Sequence, residues 1–265
     1  MKTDWFELRS PLPRSVSLPL GFVAPALVLG AWCIASYAHL APPDFLPSPS
    51  EVVRGTLQLF LQYDLGTAIW LSTRRILLSF ALASALALPL GVLMGAFEPL
   101  NRFFEPIMAP LRYMPISAFI PLLILWFGIY ESQKVAFLFL GVFVYLLPVV
   151  VSAIRAVPEE LVQTSLTLGA SKWQAVRTVL LPAAMPEIFD SFRVMNAICW
   201  TYVILAEAVN PGEGGLGYIV QLAYQHQKAS WSFAGLLVIG GIGLLTDAII
   251  RACSGMFFRW REKAA

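Results

Sequence analysis

The chain has 265 residues, 58% of them hydrophobic and 13% charged, and its mean hydropathy is +0.73. A soluble domain carries about 25% charged residues, so this composition describes a polytopic membrane protein and excludes a disordered chain, a collagen or a secreted disulfide scaffold. Lys and Arg number 18 against 16 Asp and Glu, and a net charge of +2 gives no reason to expect a nucleic-acid partner. Cys33, Cys199 and Cys253 each lie in an apolar stretch and form no disulfide framework, while His39 and His226 stand far apart with no ligand-spaced neighbour, so neither a metal nor any other cofactor is implied.

A spanning helix needs about 20 mostly apolar residues, because hydrocarbon offers no partner to an exposed backbone amide. Six runs are candidates: Leu18 to Leu40, Ile76 to Phe97, Pro115 to Tyr130, Lys134 to Ile154, Val194 to Asn210 and Ser232 to Met256, the third being short. They are continuous rather than alternating, so the expected fold class is all-α, a polytopic bundle of six transmembrane helices, not a barrel. The chain then divides into a cytoplasmic segment at 1–17, a first transmembrane helix at 18–40, a periplasmic linker at 41–75, a core transmembrane domain at 76–256 and a cytoplasmic tail at 257–265.

Cytoplasmic loops hold Lys and Arg in excess. With the N-terminus inside, thirteen of the 18 basic residues fall on or near the cytoplasmic face, from Lys2, Arg9 and Arg14 to Arg259, Arg261 and Lys263, and only Arg54, Arg74, Arg75, Lys134 and Lys228 fall outside. Both termini are therefore expected in the cytoplasm. A cleaved signal peptide, with Ser36 and Ala38 at its cleavage site, is the alternative for the first run, whose length exceeds the roughly 7–15 residues of a signal core.

After the first run, Pro42, Pro43, Pro47 and Pro49 predict a stiff, extended linker. The second run carries Gly91 and Gly95 at GxxxG spacing, which fits either close helix packing or lipid-facing glycine. The third contains Pro115 and Pro121, which suit a helix lining a route or a kink at its entry.

The connection from Arg155 to Arg193 is too long and too patterned for a simple turn. Pro158 suits a first turn, Glu159 and Glu160 complement the positive helix end, and Leu161, Ser165 and Leu168 recur on one face. Gly169 reads as a left-handed cap, Ser171 and Gln174 as a capping box for a second short helix, and Pro182 as its stop. On periodicity alone this is an amphipathic pair at the membrane surface.

From Gln163 the chain reads QTSLTLGASKWQAVRTVLLP, which resembles the EAA loop of ABC importer permeases, with Gly169, Val179, Leu181 and Pro182 at the matching positions and spacing. Gln163, Thr164 and Ser165 stand where that pattern has Glu, Ala and Ala, so the acidic group is missing at Gln163, and Glu159 or Glu160 is the candidate to replace it. LPSPSEVVRG, RYMPISAFIPLLILWFGI, LGASKWQAVRTVLLPAAMP and AEAVNPGEGGLGYIV extend the likeness to permeases of the nitrate, sulfonate and taurine type. The resemblance implies a type I ABC importer permease fold, five core helices plus an N-terminal one, working as a homodimer with two ATPase subunits and an extracytoplasmic solute-binding protein. It also implies that Gln163, Thr164, Ser165, Leu168, Gly169, Ala170, Val179, Leu181 and Pro182 form the ATPase-docking loop. No GxxxxGK[ST] phosphate loop occurs in the chain, so ATP belongs to the partner and the chain itself is not an enzyme.

Ionisable and polar groups in the bilayer are the remaining candidates. Glu207, near the outer end of the fifth run, is either a gate or a carboxylate at a wet helix end. Arg74 and Arg75 either attract an anion or snorkel to the interface, and Asp247 and Arg251 are spaced to neutralise one another. Asn196, Trp200 and Tyr202 either line a pathway or pack. The expected function is the pathway-forming subunit of an ATP-driven importer for a small solute such as nitrate, sulfonate or taurine, acting by alternating access. An ion-driven secondary transporter is the alternative, and it calls for internal repeats that the sequence does not clearly carry.

Overall fold

The computed structural model describes residues 13–209 and 213–258, and among these it is helical with no strand. Residues 1–12 of the expected N-terminal segment, Asn210 to Gly212 and residues 259–265 of the expected tail, with the basic residues they hold, lie outside the described residues. The elements are α1 (Arg14–Tyr37), α2 (Pro49–Gln62), α3 (Leu65–Ala96), α4 (Glu98–Leu111), a 3-10 turn (Ile116–Phe119) leading into α5 (Ile120–Phe127), and α6 (Glu131–Arg155). There follow α7 (Glu159–Thr167), α8 (Lys172–Ala175), a π-helical turn (Val176–Leu180), α9 (Leu181–Ala208), α10 (Leu216–Gln225) and α11 (Ala229–Phe257).

Five stretches are long and apolar enough to cross a membrane: Ser15–Tyr37, Leu65–Ala96, Glu131–Arg155, Lys172–Ala208 and Ala229–Phe257. The third run expected from the sequence is not a straight helix. Pro115 sits in extended backbone at a corner, and α4 and the 116–127 segment meet there at 90°, so only the bent pair together makes a sixth candidate span. Pro121 lies in the first turn of α5, where its missing N–H has no helical partner to lose.

The linker expected to be extended contains a helix instead. Pro49 occupies the start of α2, and Ser48 caps it: the Ser48 amide donates to Glu51 Oε2 at 2.7 Å, and the Glu51 amide donates to Ser48 Oγ at 3.4 Å. The Ser48 amide, together with the Ser48 hydroxyl donating to the same Glu51 oxygen at 2.8 Å, holds the exposed Glu51 carboxyl below the usual carboxylate range. Val52, Gly55 and Leu59 face the bundle, with Gly55 against Trp231 of α11. Pro182 likewise does not stop a helix. It opens α9, and the π turn just before it absorbs the missing N–H and the ring, so that helix runs on from Lys172 to Ala208.

α6 is the centre of the bundle, with 61% of its most apolar window buried, whereas α1 has 0% and lies at the periphery. α1 is tied on by Trp32, whose ring stacks on Phe233 and whose indole N–H donates to the Pro47 carbonyl at 2.9 Å. The contact between α3 and α6 depends on small residues. A Cβ on Gly91 would lie 2.7 Å from Val150 Cβ, and one on Gly95 would lie 2.7 Å from Ile154 Cβ. The GxxxG pair therefore serves packing rather than facing lipid, because only glycine allows the two backbones to come so close.

Gly91→Leu is expected to destabilise the fold by about 1–3 kcal/mol through overpacking. Thermal unfolding of the detergent-purified protein checks it, with Gly240→Leu, where a Cβ meets nothing within 4 Å, as the control that should leave the midpoint in place.

Candidate functional site

Two constellations stand at opposite ends of the bundle. At the end formed by the start of α3, the start of α6 and the close of α9, Arg75 and Glu207 are both 0% exposed, and Arg75 Nη1 donates to Glu207 Oε1 at 2.7 Å. The guanidinium also donates through Nε to Glu131 Oε2 at 2.9 Å, through Nη2 to the other oxygen of Glu131, and to the carbonyls of Gly214 at 2.9 Å and Glu213 at 3.1 Å. Glu207 accepts two further bonds, from Ser72 Oγ at 2.7 Å and from the Gly217 amide at 2.7 Å, while Ser72 Oγ accepts from the Leu216 amide at 2.8 Å. Lys134, also 0% exposed, pairs with Glu213 at 3.1 Å.

This network joins α3, α6, α9 and the chain from Glu213 to Gly217. Gly215 has φ +117°, and a Cβ there would stand 2.4 Å from the Glu207 carboxyl carbon. One on Gly217 would stand 2.7 Å from Glu207 Cβ. Glycine is required at both so that the backbone can wrap the carboxylate. Arg75 and Lys134, two cations that break the charge bias, are thus internally neutralised. A fully buried charge is most tolerable when paired and hydrogen-bonded; Arg75 is both, whereas Lys134 has the ion pair with Glu213 but no hydrogen bond of good geometry.

At the other end, between α6 and α9, lies the loop singled out in the sequence. Gly169 has φ +89°, and the Gly169 and Ala170 amides donate to the Leu166 and Ser165 carbonyls, both at 3.0 Å, which is a Schellman cap on α7. The Ser171 amide donates to Gln174 Oε1 at 2.7 Å and the Gln174 amide to Ser171 Oγ at 3.3 Å, completing the capping box. Gln163 Nε2 donates to Glu159 Oε1 at 2.7 Å, so a carboxylate stands beside the position where the acid is missing. Thr164 Oγ1 donates to the Glu160 carbonyl and Ser165 Oγ to that of Val162, both at 2.7 Å. α7 buries none of its residues, and Leu161, Leu166, Leu168 and Trp173 are exposed. Val179 and Leu181 are half-buried, and Pro182 is exposed.

The other candidates separate. Asn196 Nδ2 and the Trp200 indole N–H both donate to Thr246 Oγ1, at 2.9 and 3.2 Å, beside an apolar cavity of about 590 Å³ between α3, α9 and α11. Tyr202 faces α6, its ring against Gly141 and Phe137. Arg251 bonds Asp247 at 2.6 Å as its spacing implies, and Arg193 adds a second partner at 2.7 Å. Sequence reasoning missed Ser72, Glu131, Glu213 and the pairing of Lys134. Arg75 reaches its partners across 56 and 132 positions of sequence, so no local pattern announces them.

Comparison with known proteins agrees with this architecture. Residues 87–255 match the family described as binding-protein-dependent transport system inner membrane component. The chain is 33% identical over 250 residues to a protein of Methanocaldococcus jannaschii named as an ABC transporter permease, covering 92% of this chain and 93% of that one. It is 30% identical over 257 residues to the taurine transport system permease protein of Escherichia coli, covering 95% and 92%. Among solved structures, an inward-facing methionine ABC transporter superposes with a TM-score of 0.63 over 75% of this chain and 96% of that chain at 23% identity, a likeness of fold. The chain therefore belongs to the binding-protein-dependent transport system inner membrane components: it is a multi-pass permease subunit of an ABC importer, and ATP hydrolysis lies in a separate subunit.

Proposed function

We propose that the segment from Glu159 to Pro182 is the handle by which an ATPase subunit moves this permease, with Gln163, Thr164, Ser165, Leu168, Gly169, Ala170, Val179, Leu181 and Pro182 in the docking surface. The observation that carries this reading is a doubly capped helical bend that presents Leu161, Leu166, Leu168 and Trp173 to the outside. A rigid amphipathic bend with an unburied apolar side fits a groove in a partner. Glu159, held by Gln163, supplies the acidic contact. The bend lies on the cytoplasmic side, both termini share that side, and two copies of the chain enclose the route, with residues 76–256 as the core.

The cargo is a small anion or zwitterion, as suggested by the names of the taurine, sulfonate and bicarbonate permeases among the relatives. A binding protein delivers it to the outer face. Arg75 and Glu207 neutralise each other, so their role in the pathway is to brace the outer ends of α3, α6 and α9 rather than to present charge to the cargo. Asn196 and Tyr202 hold neighbouring helices in register within the same moving body. Transport follows alternating access, the ATPases rotating this body between outward and inward arrangements.

Uptake in proteoliposomes is expected to require ATP and the co-purified ATPase, and uptake driven by an ion gradient alone would overturn the reading. Gly169→Val places a branched side chain at φ +89° where its Cβ meets nothing within 4 Å. The strain falls on the turn, so the variant should insert in the membrane yet lose most ATPase capture in a pull-down. Glu207→Leu should cost about 3–5 kcal/mol, since Arg75 loses a fully buried partner. The double variant with Arg75→Leu should recover part of that cost in thermal unfolding, because the uncompensated charge goes too.

A further inference from the structure

A cavity of about 220 Å³ lies between α4 and α6, bordered by Met94 of α3, at the end of the bundle that bears the loop. Its polar lining comes from Asn101, Glu105, Arg112, Ser152 and Arg155. Asn101 is only 7% exposed, and its side-chain oxygen, Oδ1, has no hydrogen-bond partner. A buried amide oxygen in that state calls for a donor from outside the chain. Pro148 also borders the cavity. Having no N–H, it leaves the carbonyl of Val144, another lining residue, without its helical donor.

The charges in the lining select the donor. The Glu105 carboxylate favours a cationic donor such as an ammonium group. Arg112 gives one N–H to Glu105 at 3.0 Å, and Arg155 gives one to Glu98, outside the lining, at 2.7 Å. A guanidinium has five N–H groups, so each arginine keeps others for an acid. Two guanidinium groups against one carboxylate leave the lining net positive. At roughly 30 Å³ per water-sized group, the volume suits a solute with about seven non-hydrogen atoms.

We propose that this cavity binds a small zwitterion, an amine joined by a short carbon chain to a carboxylate or sulfonate. The ammonium group is held by Asn101 Oδ1, the Val144 carbonyl and Glu105, and the acid by Arg112, Arg155 and the Ser152 hydroxyl. The site stands on its own lining and does not depend on how the loop is moved or on which solute is carried.

The test is equilibrium titration of the full chain in nanodiscs, without ATP, using β-alanine and taurine as probes. Ethanesulfonate, which lacks the amine, and propylamine, which lacks the acid, are the comparisons. Both zwitterions are expected to bind, each half-analogue at least tenfold more weakly. Asn101→Leu should weaken zwitterion binding at least tenfold while its thermal midpoint holds or rises, since an unpartnered polar group has been removed. Glu105→Gln, at an exposed position, should weaken the zwitterions and leave ethanesulfonate unchanged. Absence of zwitterion binding, equal binding by ethanesulfonate, or undiminished binding in both variants would overturn the proposal. None of these outcomes touches the ATPase pull-down that tests the docking loop.

Discussion

A guanidinium enclosed by apolar helices is tolerable only against a carboxylate, and Arg75 with Glu207 is the place where this fold meets that demand. Much of the architecture at that end follows from it. α3 can begin at Leu65, ahead of its charged pair, because Arg75 is neutralised from within and Arg74 lies 3.6 Å from Glu131. α9 must end where Glu207 can reach both the guanidinium and the Gly217 amide. The chain after it must be glycine at 215, where any side chain would strike the carboxylate, and at 217, where one would strike Glu207 Cβ and the Ile204 carbonyl. Three helices distant in sequence are thus held in one register by a single buried cation.

The sequence discloses what is local and periodic. Five of the six apolar runs, the left-handed turn at Gly169, the capping box at Ser171 and the pairing of Asp247 with Arg251 are each specified locally, and each recurs in the structure. It conceals what is long-range or ambiguous in sign. Proline is the instructive case. Pro49 and Pro182 read as breakers, yet Pro49 occupies the first turn of α2, where the missing N–H has no partner to lose, and at Pro182 the π turn just before it lets the helix run on. Composition cannot tell a stop from a start, because the same ring serves both. The brace was half legible: Arg75 and Glu207 stood out as charges in apolar runs, but nothing within either run points to the other. Asn101 left no signal, since a lone amide in an amphipathic helix resembles any solvated residue until the fold buries it.

The two ends of the molecule are connected by one element. From Lys172 the helix runs without a break to Ala208, a 37-residue stretch that at about 1.5 Å per residue is roughly 55 Å long. The capped bend is at one end and Glu207 at the other. A rod transmits a displacement as rotation only if its far end is fixed to its neighbours, and otherwise the motion is lost as bending. The brace supplies that fixture by joining α9 to α3 and α6. The glycine contacts of α3 with α6 prevent those two from sliding apart. The π turn at Val176–Leu180 lies beside the bend rather than midway along the rod. On the docking reading proposed above, a displacement applied at the bend would pass the π turn at Val176–Leu180 before it reaches the brace that joins α9 to α3 and α6.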